Sequence, residues 1–185
     1  MSERIEFPKK KYNIIYADPA WTYKVWSGKG KEKKSAENHY ECMTDEDIFS
    51  LPVNEIADKD CVLFLWVTYP LLIQGLETIE RWGFIYKTCG FSWIKKNKKA
   101  DSLFWGLGHW TRANNEICLL STKGKPKRIS KSVHQVVYEP LREHSRKPDS
   151  VRERIVELCG DLPRIELFAR DRVSGWDCWG DEINR

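Results

Sequence analysis

The sequence contains no run of about 18 apolar residues, which excludes a membrane-spanning helix. Its opening, MSERIEFPKKK, has no apolar stretch of the kind a secretory leader needs, so a cytoplasmic protein is expected. The six cysteines, at 42, 61, 89, 118, 159 and 178, form no C-x-x-C pair and follow no regular spacing. They read as reduced thiols, and Cys61, Cys89 and Cys118 lie within or beside apolar runs, where a thiol serves as a small core group. The four histidines, at 39, 109, 134 and 144, lack metal-ligand spacing, so no metal is expected. No G-x-G-x-x-G follows an apolar strand, which leaves the usual dinucleotide fold unsupported; Gly106-Leu107-Gly108 falls in a loop. Repeats, low-complexity tracts and interdomain linkers are also missing. A chain of 185 residues can bury a full core without a disulfide or structural metal, and one domain over 1–185 is expected.

Tryptophan is in excess, with nine in 185 residues. About half are expected in the core, and the rest point to stacking surfaces. The net charge is +4, a weak indicator of nucleic-acid binding by itself, but it is unevenly spread. Segments 22–34, 95–99 and 123–131 carry net charges of +4, +4 and +5, which leaves −9 on the remainder. Basic loops near 22–40, 95–111 and 123–131 that converged on one face would form a phosphate-attracting rim. Three solvated turns pointing in unrelated directions are the alternative.

Short apolar runs punctuate the chain. Residues 13–17 (NIIYA), 61–67 (CVLFLWV), 84–94 (FIYKTCGFSWI), 116–122 (EICLLST), 133–139 and 164–169 (RIELFA) read as strands. Thr44 with Asp47 forms a weak capping box for a short helix. Thr68 and Pro70 open a second helix, with Leu72, Leu76 and Ile79 at helical spacing and Gly83 at its end. Residues 148–159 form a third, burying Val151, Ile155, Leu158 and Cys159. The tail, DRVSGWDCWGDEINR, reads as irregular. Buried strands alternating with helices predict an α/β sandwich with a mostly parallel sheet, whose ligands sit at the carboxyl ends of strands. Asp18, Thr68 and Arg170 each follow a strand end.

Asp18-Pro19-Ala20-Trp21 is the tetrad that carries chemistry. An exocyclic amine of a base is a poor nucleophile, because its lone pair is delocalised into the ring. Two acceptors on its N–H bonds, the Asp18 carboxylate and the Pro19 carbonyl, would localise that pair toward an electrophilic methyl. Proline aims the turn in advance, and Trp21 offers a flat face for the base. A paired base cannot reach such a site, so it must be flipped out or single-stranded.

The run IIYADPAW resembles the strand and catalytic tetrad of the MT-A family of adenine 6-amino methyltransferases. That family includes the catalytic subunit of the messenger-RNA adenosine methyltransferase and small bacterial and phage DNA enzymes. His39-Tyr40 with Met43-Thr44, CVLFLWVT, the stretch Gly108 to Glu116, His144-Ser145-Arg146-Lys147-Pro148-Asp149, ELFAR at 166–170 and Trp179-Gly180-Asp181-Glu182 resemble the family's further motifs in order. The likeness spans residues 12–183. It implies a Rossmann-like class I methyltransferase fold with permuted motif order, S-adenosylmethionine as cofactor, and transfer to the 6-amino group of adenine. Three positions depart from the family. Ala20 replaces a second proline, so a less rigid turn is expected. Asn115 stands where the eukaryotic catalytic subunit has lysine. Asp181 and Glu182 replace an amide pair.

The resemblance assigns roles. Asp18, Pro19, Ala20 and Trp21 are the catalytic set, with Asp18 also facing the cofactor's ammonium. Tyr40 and Trp110 are expected at the substrate base or strand, and Lys147 at a substrate phosphate or as a cap of the following helix. Asn115, Glu166, Phe168, Arg170, Arg172, Asp181 and Glu182 are expected at the cofactor, Glu166 alternatively in a buried ion pair. DNA is the expected substrate, given a single-domain chain with no room for an RNA-binding appendage. The same reaction on RNA is the alternative, and a non-catalytic nucleic-acid adaptor of the same fold is a third reading. A homodimer or a partner subunit is compatible with the sequence.

Overall fold

The structure is a computed structural model that describes residues 6–21, 43–108, 110–143, 146–181 and 183. Tyr40, Glu182 and the whole of the first basic segment lie outside the described residues. The chain forms seven strands: β1 (Tyr12–Ala17), β2 (Ala57–Val67), β3 (Ile85–Lys96), β4 (Glu116–Lys123), β5 (Val136–Pro140), β6 (Arg164–Leu167) and β7 (Asp177–Trp179). Four helices accompany them: α1 (Asp45–Phe49), α2 (Val53–Ile56), α3 (Leu72–Arg81) and α4 (Ser150–Cys159). The strands make one sheet in the order β5-β3-β4-β2-β1-β6-β7. Every neighbouring pair is parallel except the two made by β4, which runs against both β2 and β3.

Alternation along the strands divides the core. Ile15 and Ala17 of β1 and Leu63, Leu65 and Val67 of β2 face α1, α2 and α3, where Ile48, Val53, Ile56, Ile79 and Trp82 cover them. Ile14 and Tyr16, with Val62, Phe64 and Trp66, face α4, where Val151, Ile155 and Cys159 close the layer. The result is the expected three-layer α/β, Rossmann-like arrangement. Four of the eight described tryptophans are buried, at 66, 82, 93 and 176. The five described cysteines are free thiols. No helix among the described residues is long and apolar enough to cross a membrane.

Three local expectations need correction. Thr68 makes no side-chain cap; Tyr69–Leu71 form a single 3-10 turn before α3 begins at Leu72. The buried side of α3 is Gly75, Thr78 and Ile79, with Leu76 partly exposed. Gly75 decides this rotation, because any Cβ there would overlap Val67 Cγ1 of β2, so the helix lies close to the sheet along that line. The tail read as irregular contains β7, paired with β6 over Ile165–Leu167.

Topology also corrects the basic rim. Because β4 is antiparallel, its last residue, Lys123, pairs with Cys61 near the start of β2, while Ile117 pairs with Val67. The segment 123–131 therefore leaves the sheet at the end opposite Asp18. There Lys125 N donates to Asp60 and Ile129 N to the Leu158 carbonyl. The segment 95–99, at the carboxyl end of β3, stays on the side of Asp18.

Candidate active site

β1 is a central strand. Its chain continuation goes to β2 on one side, while β6 and β7, late in sequence, flank it on the other. The crevice between β1 and β6 is thus a topological switch point, the place where open α/β sheets bind ligands. Asp18 stands at its rim, half-buried, directly after β1.

Asp18 does not stand alone. Lys147 Nζ donates to Asp18 Oδ2 at 2.9 Å and lies 3.2 Å from Glu116 Oε2. Lys95 Nζ meets Glu116 Oε1 at 2.5 Å. The row Asp18–Lys147–Glu116–Lys95 alternates in sign, and its two middle members are only 9% and 7% exposed. Burial works to lower the Lys147 ammonium, but Asp18 and Glu116 outweigh it and hold the group above its ordinary range. Burial likewise works to raise the Glu116 carboxyl, and Lys147 and Lys95 outweigh it in the opposite direction. The sequence placed Lys147 at a phosphate or a helix cap; the structure turns it inward instead, with its ammonium 5.6 Å from the Trp66 ring centroid.

The tetrad forms a tight turn. Trp21 N donates to the Pro19 carbonyl at 2.8 Å, and Met43 N to the Ala20 carbonyl at 3.2 Å. These two bonds hold the backbone that a second proline would otherwise stiffen. The Pro19 oxygen keeps a second lone pair, and the Asp18 carboxylate has acceptor positions beyond the one Lys147 uses. The Trp21 indole is pinned by Nε1 donating to the Trp66 carbonyl at 3.1 Å. Beneath it Trp66 Nε1 donates to the Tyr16 hydroxyl at 2.7 Å.

On the other wall, Glu166 of β6 takes a two-pronged hydrogen bond from Arg152 of α4, both prongs at 2.7 Å. This is the buried ion pair foreseen as its alternative role. Arg152 also reaches Asp149 at 2.7 Å, which Arg142 engages in turn. Arg146 bonds Asp171 at 2.9 Å and ties the loop after β6 to the segment carrying Lys147. Phe168, at the turn leaving β6, has φ of +60°, a strained value for a side chain of that size and typical of ligand-facing turns. Its ring meets Trp179 edge-on. Arg170 follows half-buried, while Arg172 and Asp181 are exposed. Gly180 packs where a Cβ would lie 2.5 Å from the Ala169 carbonyl oxygen, so the end of β7 presses on this turn. Asn115 donates to Tyr69 Oη at 2.9 Å and Ser92 Oγ at 3.0 Å, linking β3, β4 and the turn after β2. Trp110 is elsewhere, at the tip of the arm between β3 and β4.

Sequence reasoning assigned no site role to Glu116 or Arg152 and counted Lys95 with the basic rim, whereas its ammonium is turned to Glu116. Glu116 and Arg152 each had a signal. Glu116 is the lone acid heading an apolar strand, and Arg152 falls within the buried spacing 151, 155, 159. A charge at such a position needs a partner. Thr68 Oγ1, at the carboxyl end of β2, is buried with no partner among the described residues and is a further polar group at these strand ends.

The arrangement suits a zwitterion. The Asp18 carboxylate at the rim of the crevice and the Arg170 guanidinium on the turn leaving β6 carry the charges that the ammonium and carboxylate of an amino-acid moiety require, and the Thr68 hydroxyl at the end of β2 adds a hydrogen-bonding position.

Comparison with known proteins agrees with this geometry. The MT-A70 family profile matches residues 12–182. A "Type II methyltransferase M.MunI" of Mycoplasma sp is 34% identical over 194 residues, covering 96% of this chain and 80% of that protein. "N(6)-adenosine-methyltransferase catalytic subunit METTL3" of Homo sapiens is 30% identical over 94% of this chain but only 28% of its own length. A "Putative N(6)-adenosine-methyltransferase MT-A70-like" protein of Medicago truncatula is likewise 30% identical over 94% of this chain and 27% of its own. The match runs from the first residue of β1 to beyond β7 and takes in every element of the site, so the chain belongs to the MT-A70 family.

Proposed function

We propose that the chain transfers a methyl group from S-adenosylmethionine to the 6-amino group of adenine in DNA. The observation that carries this reading is the Asp18 carboxylate at the switch point of the sheet, fixed by Lys147 and followed by the Pro19 carbonyl. DNA is favoured over RNA because the M.MunI methyltransferase is matched over most of its length, whereas the N(6)-adenosine-methyltransferases are matched over about a quarter of theirs. The free thiols support a reducing cytoplasmic setting.

When bound, S-adenosylmethionine supplies a methyl group on a positively charged sulfur. Asp18 and the Pro19 carbonyl accept the two N–H bonds of the adenine amine and direct its lone pair at that methyl carbon. Trp21 holds the base in plane by stacking. As the amine takes up that methyl and the bonding pair is left on the departing sulfur, the Asp18 carboxylate would accept the amine's surplus proton and pass it to water. Lys147 holds the Asp18 carboxylate in place. Arg170, with Phe168, Arg172 and Asp181 on the turns after β6 and β7 and Asn115 beside Tyr69, would hold the amino-acid and nucleoside parts of the cofactor, a role the family resemblance extends to Glu182; Glu166 acts through Arg152. The family resemblance assigns Tyr40 to the base. Catalysis is positioning and oriented charge, with no covalent enzyme adduct.

The test is transfer of labelled methyl from S-adenosylmethionine to pools of duplex DNA, single-stranded DNA and RNA, followed by nucleoside analysis. Label in 6-methyldeoxyadenosine is the expected result. Asp18→Ala should lower transfer by about 100-fold or more with the fold retained. Normal transfer by that variant overturns the assignment, and label in RNA alone moves the substrate. A wild-type protein that neither binds the cofactor nor transfers label is a non-catalytic adaptor.

A further inference from the structure

The arm between β3 and β4 combines order with exposure. Leu107 and Trp110 at its tip are 88% and 96% exposed, and Trp105 is 58% exposed. Side chains of this kind in water usually mark mobile tails, yet this arm is tied down along its length. Phe104 N donates to the Lys95 carbonyl at 2.9 Å and Gly106 N to the Ala113 carbonyl at 2.7 Å. Asn114 clamps the base: its Oδ1 accepts from Lys95 N, and its Nδ2 donates to the Lys95 and Phe104 carbonyls. Gly108 sits so close to the Thr111 carbonyl that no side chain fits there, which makes the tip a compact turn. Trp110 and Leu107 are presented on a built support and find no apolar cover among the described residues.

The arm's roots locate it. It leaves the sheet at Lys95 and Lys96 and returns at Glu116, and Lys95 and Glu116 belong to the charge row that ends at Asp18. Its surroundings are basic: Lys98, Lys99 and Arg112 are exposed, and the one acid, Asp101, is engaged by Lys96. That charge suits a phosphate backbone and repels a second copy of the same arm. An apolar tip rimmed by cations, beside a site that needs an unpaired base, matches a side chain that enters a base stack.

We propose that the arm is a duplex wedge: Leu107 and Trp110 enter the DNA stack beside the target adenine and occupy the space it leaves. The inference rests on the methyl-transfer reading and deepens it, since it makes paired DNA, opened by the enzyme, the substrate. Lys98, Lys99 and Arg112 hold the flanking phosphates. Trp110 thus acts on the neighbours of the target base, while Trp21 stacks the base itself.

The test compares wild type, Trp110→Ala and Leu107→Ala on one DNA sequence, with the target mapped from the wild-type label. The DNA is presented as matched duplex, as single strand, and as duplex with a mismatch opposite the target adenine. Both positions are exposed, so the fold should survive, and circular dichroism checks it. Transfer to matched duplex should fall more than about 10-fold, transfer to single strand less than about 2-fold, and the mismatch should restore most of the loss, because a mispaired base is already cheap to extrude. Equal losses on all three substrates overturn the wedge, as does a wild type that labels single strands alone. So does a dimer in sedimentation that Trp110→Ala breaks apart, which makes the tip an interface between copies. A wild type that labels nothing overturns the methyl-transfer reading and the wedge with it; every other failure leaves that reading standing.

Discussion

At the scale of single residues, the site is governed by charges that cannot be solvated and so must be paired. Glu116 is almost fully buried between Lys95 and Lys147, and its carboxyl is held below its ordinary value of 4.5. Its stabilising contribution is therefore complete above pH 4.5 and lost as pH falls through the lowered folded value. Lys147 is held above its ordinary 10.5, so its contribution is complete below pH 10.5 and lost as pH rises beyond. Glu116→Gln leaves Lys147 with Asp18 alone and should cost about 3 kcal/mol at neutral pH. In denaturant titrations from pH 7 to 3, the gap between wild type and variant should narrow only below pH 4.5. A gap that stays constant through that window would mean Glu116 works through packing alone. Activity separates the roles further: with Lys147 less firmly held, Asp18 is less well aimed, and kcat should fall more than cofactor affinity. None of this network was legible from spacing, because Asp18, Glu116 and Lys147 lie far apart in the chain and meet only where the end of β1, the start of β4 and the segment before α4 converge at one end of the sheet.

At the scale of elements, closeness of approach decides what the hydrophobic pattern leaves open. Six of the seven strands were legible because apolar runs bounded by turn residues have few alternatives, while β7, three residues in a polar tail, has no such run; the Thr44–Asp47 capping box formed as read, with Asp47 N donating to Thr44 Oγ1 at 3.1 Å. The α3 face was not, because a pattern of leucines and isoleucines does not reveal that a glycine sits at the line of contact. Gly75→Ala tests this directly. Alanine favours a helix interior by about 1 kcal/mol, but its methyl would overlap Val67 Cγ1, a branched side chain with little rotamer freedom in the middle of the sheet. Overpacking typically costs about 1–3 kcal/mol, so the net effect should be a loss of stability despite the better helix former. Ile73→Ala, on the exposed side of α3, should change stability by less than about 0.5 kcal/mol. Chemical denaturation of the two variants checks both; a stabilised Gly75→Ala would show that α3 can lift off β2 without cost.

At the scale of the whole molecule, one reversed strand determines where the positive charge acts. In a wholly parallel sheet, every loop after a strand would open on the ligand end, and the three basic segments would share a face. Because β4 runs backward, its six-residue path from Ile117 to Lys123 carries the chain roughly 20 Å from the crevice, at a strand rise of about 3.3 Å per residue. Lys125, Lys127 and Arg128 are left exposed at the far end of the domain, while Lys98 and Lys99 stay beside the arm. Sequence counts the charges but does not say which way a strand runs, so the rim was legible as composition and not as geometry. The two sets are separable in a salt titration of duplex binding. Reversing Lys98 and Lys99 to glutamate should weaken binding and lower the slope of log affinity against log salt by about 2, since each lost phosphate contact is worth about 0.9. Reversing Lys125, Lys127 and Arg128 changes the net charge by more, yet should leave the slope nearly unaltered, because at 0.15 M salt their field is screened within about 8 Å. An equal fall in slope from the distal set would require the nucleic acid to wrap around the sheet, and would shift the footprint from the arm and crevice to the whole circumference of the domain.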